Sequence, residues 1–373
     1  MATRAGADTE IGRRKEHHLD ICLDDERYPD PALRGSSLDQ VQLLHEALPE
    51  LDSAAVDTAQ PFLRATLRLP LMISCMTGGS GRGRSANRAL AAAAQQAGIA
   101  VGVGSIRPLL QDPATFPDFH VKPLAPDVPV LANLGAVQLR DLDGGVLRAV
   151  LQRLEVQGLV VHLNAGQELF QPGGDRDFRG LFDAIERVVG ECGLPVLVKE
   201  TGFGIRPGLV RGLLGCGVRY VDLAAAGGTN WVQVEGRRLP GEQPESADTF
   251  ADWGLPTGVV LALLGDVAGN VIASGGLRHG VHLAKTVAMG AACGAMALPF
   301  IRAVMANGSA GAVALIERIE HELRTAMTLC GAASLAELRQ VPVLQSEAFR
   351  YQVVELQRAE ATASGGGREA AGG

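Results

Sequence analysis

Short apolar runs recur along the chain, each followed by a polar or glycine-rich loop and then by a stretch whose apolar positions return every three or four residues. The runs have the length of buried strands and the stretches the period of amphipathic helices. The predicted strands are Leu71–Cys75, Ile99–Val103, Pro129–Asn133, Leu159–Asn164, Pro195–Glu200, Tyr220–Ala224, Val271–Ser274 and Gly294–Ala297. Helices are predicted between them, among them Ser85–Ala97, Leu147–Val156, Phe178–Val189 and Val281–Met289. Eight consecutive βα units favour closure, so the pattern predicts an α/β fold of the (β/α)8-barrel type. An open, doubly wound sheet is the rival, but Gly78-Gly79-Ser80-Gly81 does not supply the G-x-G-x-x-G turn that such sheets place after the first strand.

Outside the barrel, expected over 62–335, the sequence predicts an N-terminal extension over 1–61 and a C-terminal segment over 336–373. An insertion follows strand six, from Trp231 to about Leu255, and a helical stretch lies near Ala312–Leu329. The run Ala363-Ser364-Gly365-Gly366-Gly367 cannot bury enough apolar surface to offset its ordering entropy, which predicts a flexible end.

Barrel enzymes build their sites at the C-terminal ends of the strands, and polar and glycine residues gather there. The eight ends carry Cys75-Met76-Thr77-Gly78-Gly79, Gly104-Ser105-Ile106-Arg107, Asn133, His162 to Glu168, Lys199-Glu200, Ala226 to Trp231, Ser274-Gly275-Gly276 and Ala297-Leu298. The glycine turns after strands seven and eight sit where barrels hold phosphate, since glycine lets backbone N–H groups approach and a helix N-terminus favours an anion. Met76, Thr77, Ser105, Asn133, Lys199 and Thr229 combine a soft apolar side chain with hydroxyl, amide and ammonium donors, a mixture suited to a flat heteroaromatic ring with a polar edge. In His162-x-Asn164-x-x-Gln167-Glu168, the carboxylate of Glu168 is a hard oxygen that suits Mg2+, which takes one or two protein carboxylates together with substrate phosphate oxygens. Arg13-Arg14-Lys15 with His17 and His18 is the one local cationic run able to meet a diphosphate.

Composition narrows the classes further. A net charge of -7 gives no reason to expect nucleic acid as a partner. The polar opening residues and the lack of about 18 consecutive apolar residues predict neither a secretory signal nor a membrane span, hence a cytoplasmic address. The six cysteines are widely spaced, with no C-x-x-C pair, and read as reduced thiols.

Taken together, these motifs resemble the type II isopentenyl diphosphate isomerases. The likeness runs from Arg14-Lys15-x-x-His18 through Met76-Thr77-Gly78-Gly79, Gly104-Ser105-x-Arg107, Ala132-Asn133-Leu134-Gly135 and His162-x-Asn164-x-x-Gln167-Glu168. It continues through Gly174-Asp175-Arg176-x-Phe178, Val198-Lys199-Glu200, Gly227-Gly228-Thr229-Asn230 and Ala273-Ser274-Gly275-Gly276.

The resemblance implies interconversion of isopentenyl and dimethylallyl diphosphate by an enzyme that uses reduced FMN, Mg2+ and NADPH or NADH as reductant, in homotetramers or homo-octamers. Met76, Thr77, Ser105, Asn133, Lys199 and Thr229 would then hold the flavin, and Gly275, Gly276, Ala297 and Leu298 its phosphate. Arg14, Lys15, His18, Arg107, His162, Asn164 and Gln167 would receive the substrate. Gln167 would lie beside the reacting alkene as the catalytic residue, and Glu168 would bind the metal. Cys75, Thr201 and Ala225 depart from the alanine, valine and glycine usual at these places. An FMN-dependent 2-hydroxy acid oxidase is the alternative on the same scaffold, but it needs a histidine and an arginine after strand six, where Ala224-Ala225-Ala226-Gly227-Gly228-Thr229 stands. A non-catalytic FMN-binding protein would need neither Gln167-Glu168 nor the arm.

Overall fold

The computed structural model describes residues 10–29, 31, 35–238 and 243–366. Eight parallel strands close into a barrel: β1 Leu71–Ile73, β2 Ala100–Ser105, β3 Val130–Gly135, β4 Gly158–His162, β5 Val196–Lys199, β6 Tyr220–Asp222, β7 Val271–Ser274 and β8 Cys293–Met296. Neighbours in sequence pair around the ring, and β8 returns to β1 with Ala295 opposite Met72. All eight predicted strands are present, with no end shifted by more than two residues.

Alternation along the strands separates two environments. Val101, Val103, Val130, Ala132, Leu159, Val161 and Val198 belong to the shell packed under the helices. Met72, Ala100, Leu131, Val160, Leu197, Tyr220, Ile272 and Cys293 form a separate apolar cluster within the barrel. Two residues further along each of several strands, this period brings polar side chains to the same interior: Ser74, Asn133, His162, Lys199, Asp222 and Ser274. The lower barrel is therefore apolar filling, and the upper layer is the floor of a polar mouth. A hairpin of Gln60–Phe62 and Ala65–Leu67 closes the opposite end. Its Phe62 is buried in the interior cluster and stacks on Tyr220 with ring centroids 4.8 Å apart.

Seven helices matter for the site and its support. They are α1 Glu10–Leu23, α2 Gly81–Ala97, α3 Ala165–Phe170, α4 Leu181–Glu191, α5 Trp231–Arg238, α6 Gly280–Ala288 and α7 Leu298–Leu329. In α2 the Ser80 hydroxyl caps the first turn by accepting from the Gly83 N–H, and Gly98 ends the helix in the left-handed conformation that an L side chain resists. By length and composition α7 could cross a membrane, a helix that counting consecutive apolar residues does not pick out. Here it bends at Asn307 and Gly308 and packs on α2 and α6, burying Phe300, Ile301, Ile316 and Leu323.

The flanks meet each other. Val41–Leu43 pairs antiparallel with Val343–Gln345, and Asp39 reaches His282 on α6 at 2.8 Å. A helix spans Glu347–Gly366 and so includes the start of the low-complexity run. It is anchored where the Glu360 carboxylate accepts from the Gly208 N–H at 2.6 Å, satisfying one of the orphan donors at the start of the helix Pro207–Gly215. The remaining tail, 367–373, and residues 239–242 of the insertion lie outside the described residues.

Candidate active site

Two contiguous clefts open at the mouth of the barrel, and they share Cys75, Met76, Lys199, Thr201 and Trp231. The first, about 530 Å³, is walled by the loops after β6, β7 and β8, and Thr229, Gly275, Gly276, Ala297 and Leu298 line it. Gly275 and Gly276 take φ values of 98° and 88°. A Cβ on Gly275 would stand 2.0 Å from the Ala225 carbonyl oxygen, so the turn closes only with glycine there. Among the described residues, no protein acceptor faces the N–H of Gly275 or Gly276. Together with the N-terminus of α7, which begins at Leu298, they form an anion cradle.

The second cleft, about 840 Å³, lies beneath α1 and is lined by Arg14, Lys15, His18, Ser105, Arg107, Asn133, His162, Asn164, Gln167 and Glu168. Every predicted residue for substrate and metal therefore converges on one space. Of the predicted flavin residues only Thr77 lines neither cleft. It is buried behind Met76, where its carbonyl accepts from the Gly104 N–H at 2.6 Å. A Cβ on Gly104 would meet that carbonyl at 2.2 Å, so glycine lets the ends of β1 and β2 approach.

Hydrogen bonds set the orientation of each side chain. Lys15 Nζ donates to the Ser105 carbonyl at 3.0 Å, and Lys199 Nζ to the Glu200 carbonyl at 2.8 Å. His162 Nδ1 meets Asn133 Oδ1 at 2.9 Å. Asn164 Nδ2 donates to Gln167 Oε1 at 3.2 Å and to Glu168 Oε1 at 3.0 Å, while the Asp175 N–H donates to Glu168 Oε2 at 3.0 Å.

Electrostatics follow from burial among like charges. Burial, aided by Lys199, Lys15 and Arg107, pushes His162 down to about 3, so it is a neutral imidazole that donates through Nδ1 to Asn133 and offers Nε2 as an acceptor. Lys15 is pushed down to about 7 by burial and by the Arg14 and Arg107 charges, a strain that an anion between them would relieve. Burial likewise raises the Cys75 thiol to about 12, leaving it protonated and unreactive.

Glu235, on α5 in the insertion, was not among the residues singled out by sequence. It is fully buried, pairs with His18 Nε2 at 2.9 Å and with Arg238 Nε at 2.8 Å, and accepts from Gln167 Nε2 at 3.0 Å. Burial alone would raise it, but the hydrogen bonds from His18, Gln167 and Arg238 prevail and hold its carboxyl at about 2. The only signal in the sequence is its spacing of three before Arg238 on a short helix, which also describes a solvated surface pair. Trp231, read from the sequence only as the close of the strand-six end and the start of the insertion, packs edge-on against His18 with centroids 5.1 Å apart.

The departures are small side chains in close quarters. Cys75 and Thr201 line both clefts, the Thr201 hydroxyl donating to the Leu163 carbonyl at 3.3 Å, while Ala225 packs under Gly275.

Comparison with known proteins agrees with this geometry. The family described as FMN-dependent dehydrogenase matches residues 182–345, which contain β5 to β8 and the glycine turns of the first cleft. Solved mandelate oxidases share the fold. One with (S)-2-phenylpropionate superposes with a TM-score of 0.60 at 17% identity, covering 90% of this chain and 98% of its own. Another, a variant with the C4a-OH-FMN adduct, gives 0.61 at 17% identity, covering 91% and 99%. Fold and site thus define a (β/α)8 barrel of the kind used by FMN-dependent enzymes.

The sequence relatives narrow the class. An isopentenyl-diphosphate delta-isomerase of Xanthobacter autotrophicus is 43% identical over 89% of this chain and 97% of its own. Those of Pseudescherichia vulneris and Methanothrix thermoacetophila are 42% and 41% identical, each over 90% of this chain and over 97% and 93% of their own. The chain belongs to the isopentenyl-diphosphate delta-isomerase family.

Proposed function

We propose that this protein interconverts isopentenyl and dimethylallyl diphosphate, using FMN reduced by NADPH or NADH, and that Glu168 would hold the Mg2+ that neutralises the diphosphate. The observation that carries this reading is the junction of the glycine cradle with the cationic cleft: a phosphate-bearing ring in the first would extend past Met76 and Lys199 into the second.

The residues fit both groups. For the flavin, a turn that admits no Cβ and keeps two N–H groups free suits the phosphate, and Lys199, which lines the same cleft, would supply an ammonium to the electron-rich ring. For Mg2+, Glu168 is a hard oxygen donor in the cleft. Such an ion would complete its shell with water and substrate oxygens.

FMN, when bound and reduced, supplies a proton source and an electron-rich ring beside the alkene, so the double bond can move without net oxidation. The protein does the rest. Arg14, Lys15 and Arg107 neutralise the diphosphate, and α1 with Trp231 covers the cleft and excludes water. Gln167 cannot turn freely, because Asn164 donates to its carbonyl and its own N–H donates to Glu235. It therefore presents a neutral amide of fixed orientation to the alkene. The same reading carries a cytoplasmic address, homotetrameric or homo-octameric assembly and a place in isoprenoid biosynthesis.

The test is direct. Purified protein should show a flavin spectrum and, after anaerobic reduction with Mg2+ present, convert isopentenyl diphosphate to dimethylallyl diphosphate by NMR. A protein that takes up FMN but leaves the alkene unchanged would reject the isomerase reading.

A further inference from the structure

Asp222 ends β6 and is 1% exposed, yet no step above uses it. Its carboxylate accepts hydrogen bonds from the Ser274 hydroxyl, from the Ser74 hydroxyl at 3.4 Å and from the Ala224 N–H at 3.3 Å. Ser274 Oγ in turn accepts from the Ala224 N–H at 2.9 Å. Ala224 needs such holding, because its φ of 37° is left-handed and it has a side chain. Ser74, Ala224 and Ser274 all line the cleft assigned to the flavin, and Asp222 stands behind them.

Asp222 also has a charged neighbour across the sheet. Lys199 is its register partner on β5, so both side chains project into the barrel from adjacent strands, and Lys199 lines both clefts. No ion pair within 4.0 Å joins them, and Lys199 Nζ is turned instead to the Glu200 carbonyl. A buried carboxylate held only by neutral donors is expensive, and an amide or hydroxyl could pin the Ala224 turn without that cost. What a neutral side chain could not do is place a negative charge behind the cleft that would hold the flavin, across the sheet from the positive charge of Lys199.

Resting on the FMN reading above, we infer that Asp222 is a positioning residue that sets the redox balance of the bound flavin. Reduction adds negative charge to the flavin, so a carboxylate behind its cleft would disfavour the reduced form relative to the oxidised form, while Lys199 would favour it. The hydrogen bonds from Ser74 and Ser274 fix the place from which that charge acts.

The experiment is spectroelectrochemical titration of FMN bound to the full-length protein and its variants. Asp222→Asn keeps the shape and removes the charge. It should raise the affinity for reduced over oxidised FMN about tenfold, a rise in midpoint potential of about 30 mV for a two-electron couple. Lys199→Gln should shift the potential the opposite way. Ser274→Ala, which keeps the charge, should weaken FMN binding while leaving the potential near the parent's. If Asp222→Asn does not fold, Asp222→Ser, with room for a water, serves in its place. A parent protein that binds no FMN would reject the flavin reading itself. A parent that binds FMN, with Asp222→Asn at the parental potential or Ser274→Ala shifted as far as Asp222→Asn, would overturn this inference alone.

Discussion

Gln167 and Glu168 adjoin in sequence on the first turn of α3 and share the Asn164 amide as a donor, but the helix turns about 100° between them and directs their other contacts apart. Glu168 is 5% exposed, and its two oxygens accept from Asn164 and from the Asp175 N–H, so the carboxylate is fixed before any cation arrives. Gln167, which also accepts from Asn164, donates its own amide to Glu235. Glu168→Gln removes a charged oxygen ligand, and the Mg2+ concentration for half-maximal activity should rise roughly 10–100-fold with FMN still bound. Gln167→Leu should lower kcat about a hundredfold and leave the apparent Mg2+ affinity nearly unchanged, the pattern of a group needed mainly in the transition state. Equal metal defects in the two variants would contradict this division of labour.

At the scale of elements, the eight strands and the glycine turns after β7 and β8 were legible because local sequence dictates them: apolar runs make the strands, and turns with positive φ select glycine. The strand ends also told which residues share the mouth, since a parallel barrel brings all eight C-termini to one rim. What covers the mouth was less legible. The sequence marks the arm as cationic but does not say where it lies, and in this chain α1 lies over its own rim, burying Ile21 and Cys22 against Val234 of α5 and Leu298 of α7. Glu235 was missed for the same reason, because a carboxylate three residues before an arginine looks solvated until the partner helix is known to bury it. Thr77, read as a flavin contact, lies behind the cleft because its backbone is tied to Gly104. Since α1 supplies Arg14 and Lys15 through its first turns and its anchor through later ones, removing residues 1–17 should separate the two functions. His18 would still satisfy Glu235, and FMN should be retained. Each lost charge-assisted contact is worth about 1.5–3 kcal/mol, so KM for the diphosphate should rise at least tenfold. An unchanged KM would show that the arm does not hold the substrate.

The whole molecule is acidic, with a net charge of -7, yet the groups shaping its pH response sit around a locally cationic cleft. His18, His162, His279 and His282 all have pKa values lowered from 6.5, in each case chiefly by burial. A group with a depressed folded pKa contributes stability that is present above its unfolded value and is lost as pH falls toward the folded one. Below 6.5 the unfolded chain takes up protons that these imidazoles refuse, His162 until about 3. Glu200 opposes them. Burial raises it to about 7 from 4.5, so between those values the folded state holds a proton that the unfolded state lacks. One such group cancels one histidine and leaves the others in excess, at up to about 1.4 kcal/mol per pH unit for each fully neutral imidazole. The urea midpoint should therefore be lower at about pH 5.5 than at about pH 7.5. His162→Asn, which can keep the hydrogen bond to Asn133 without titrating, should narrow the gap. Equal midpoints, or a higher one in acid, would show that the buried histidines are not the groups that set the acid limit of the fold.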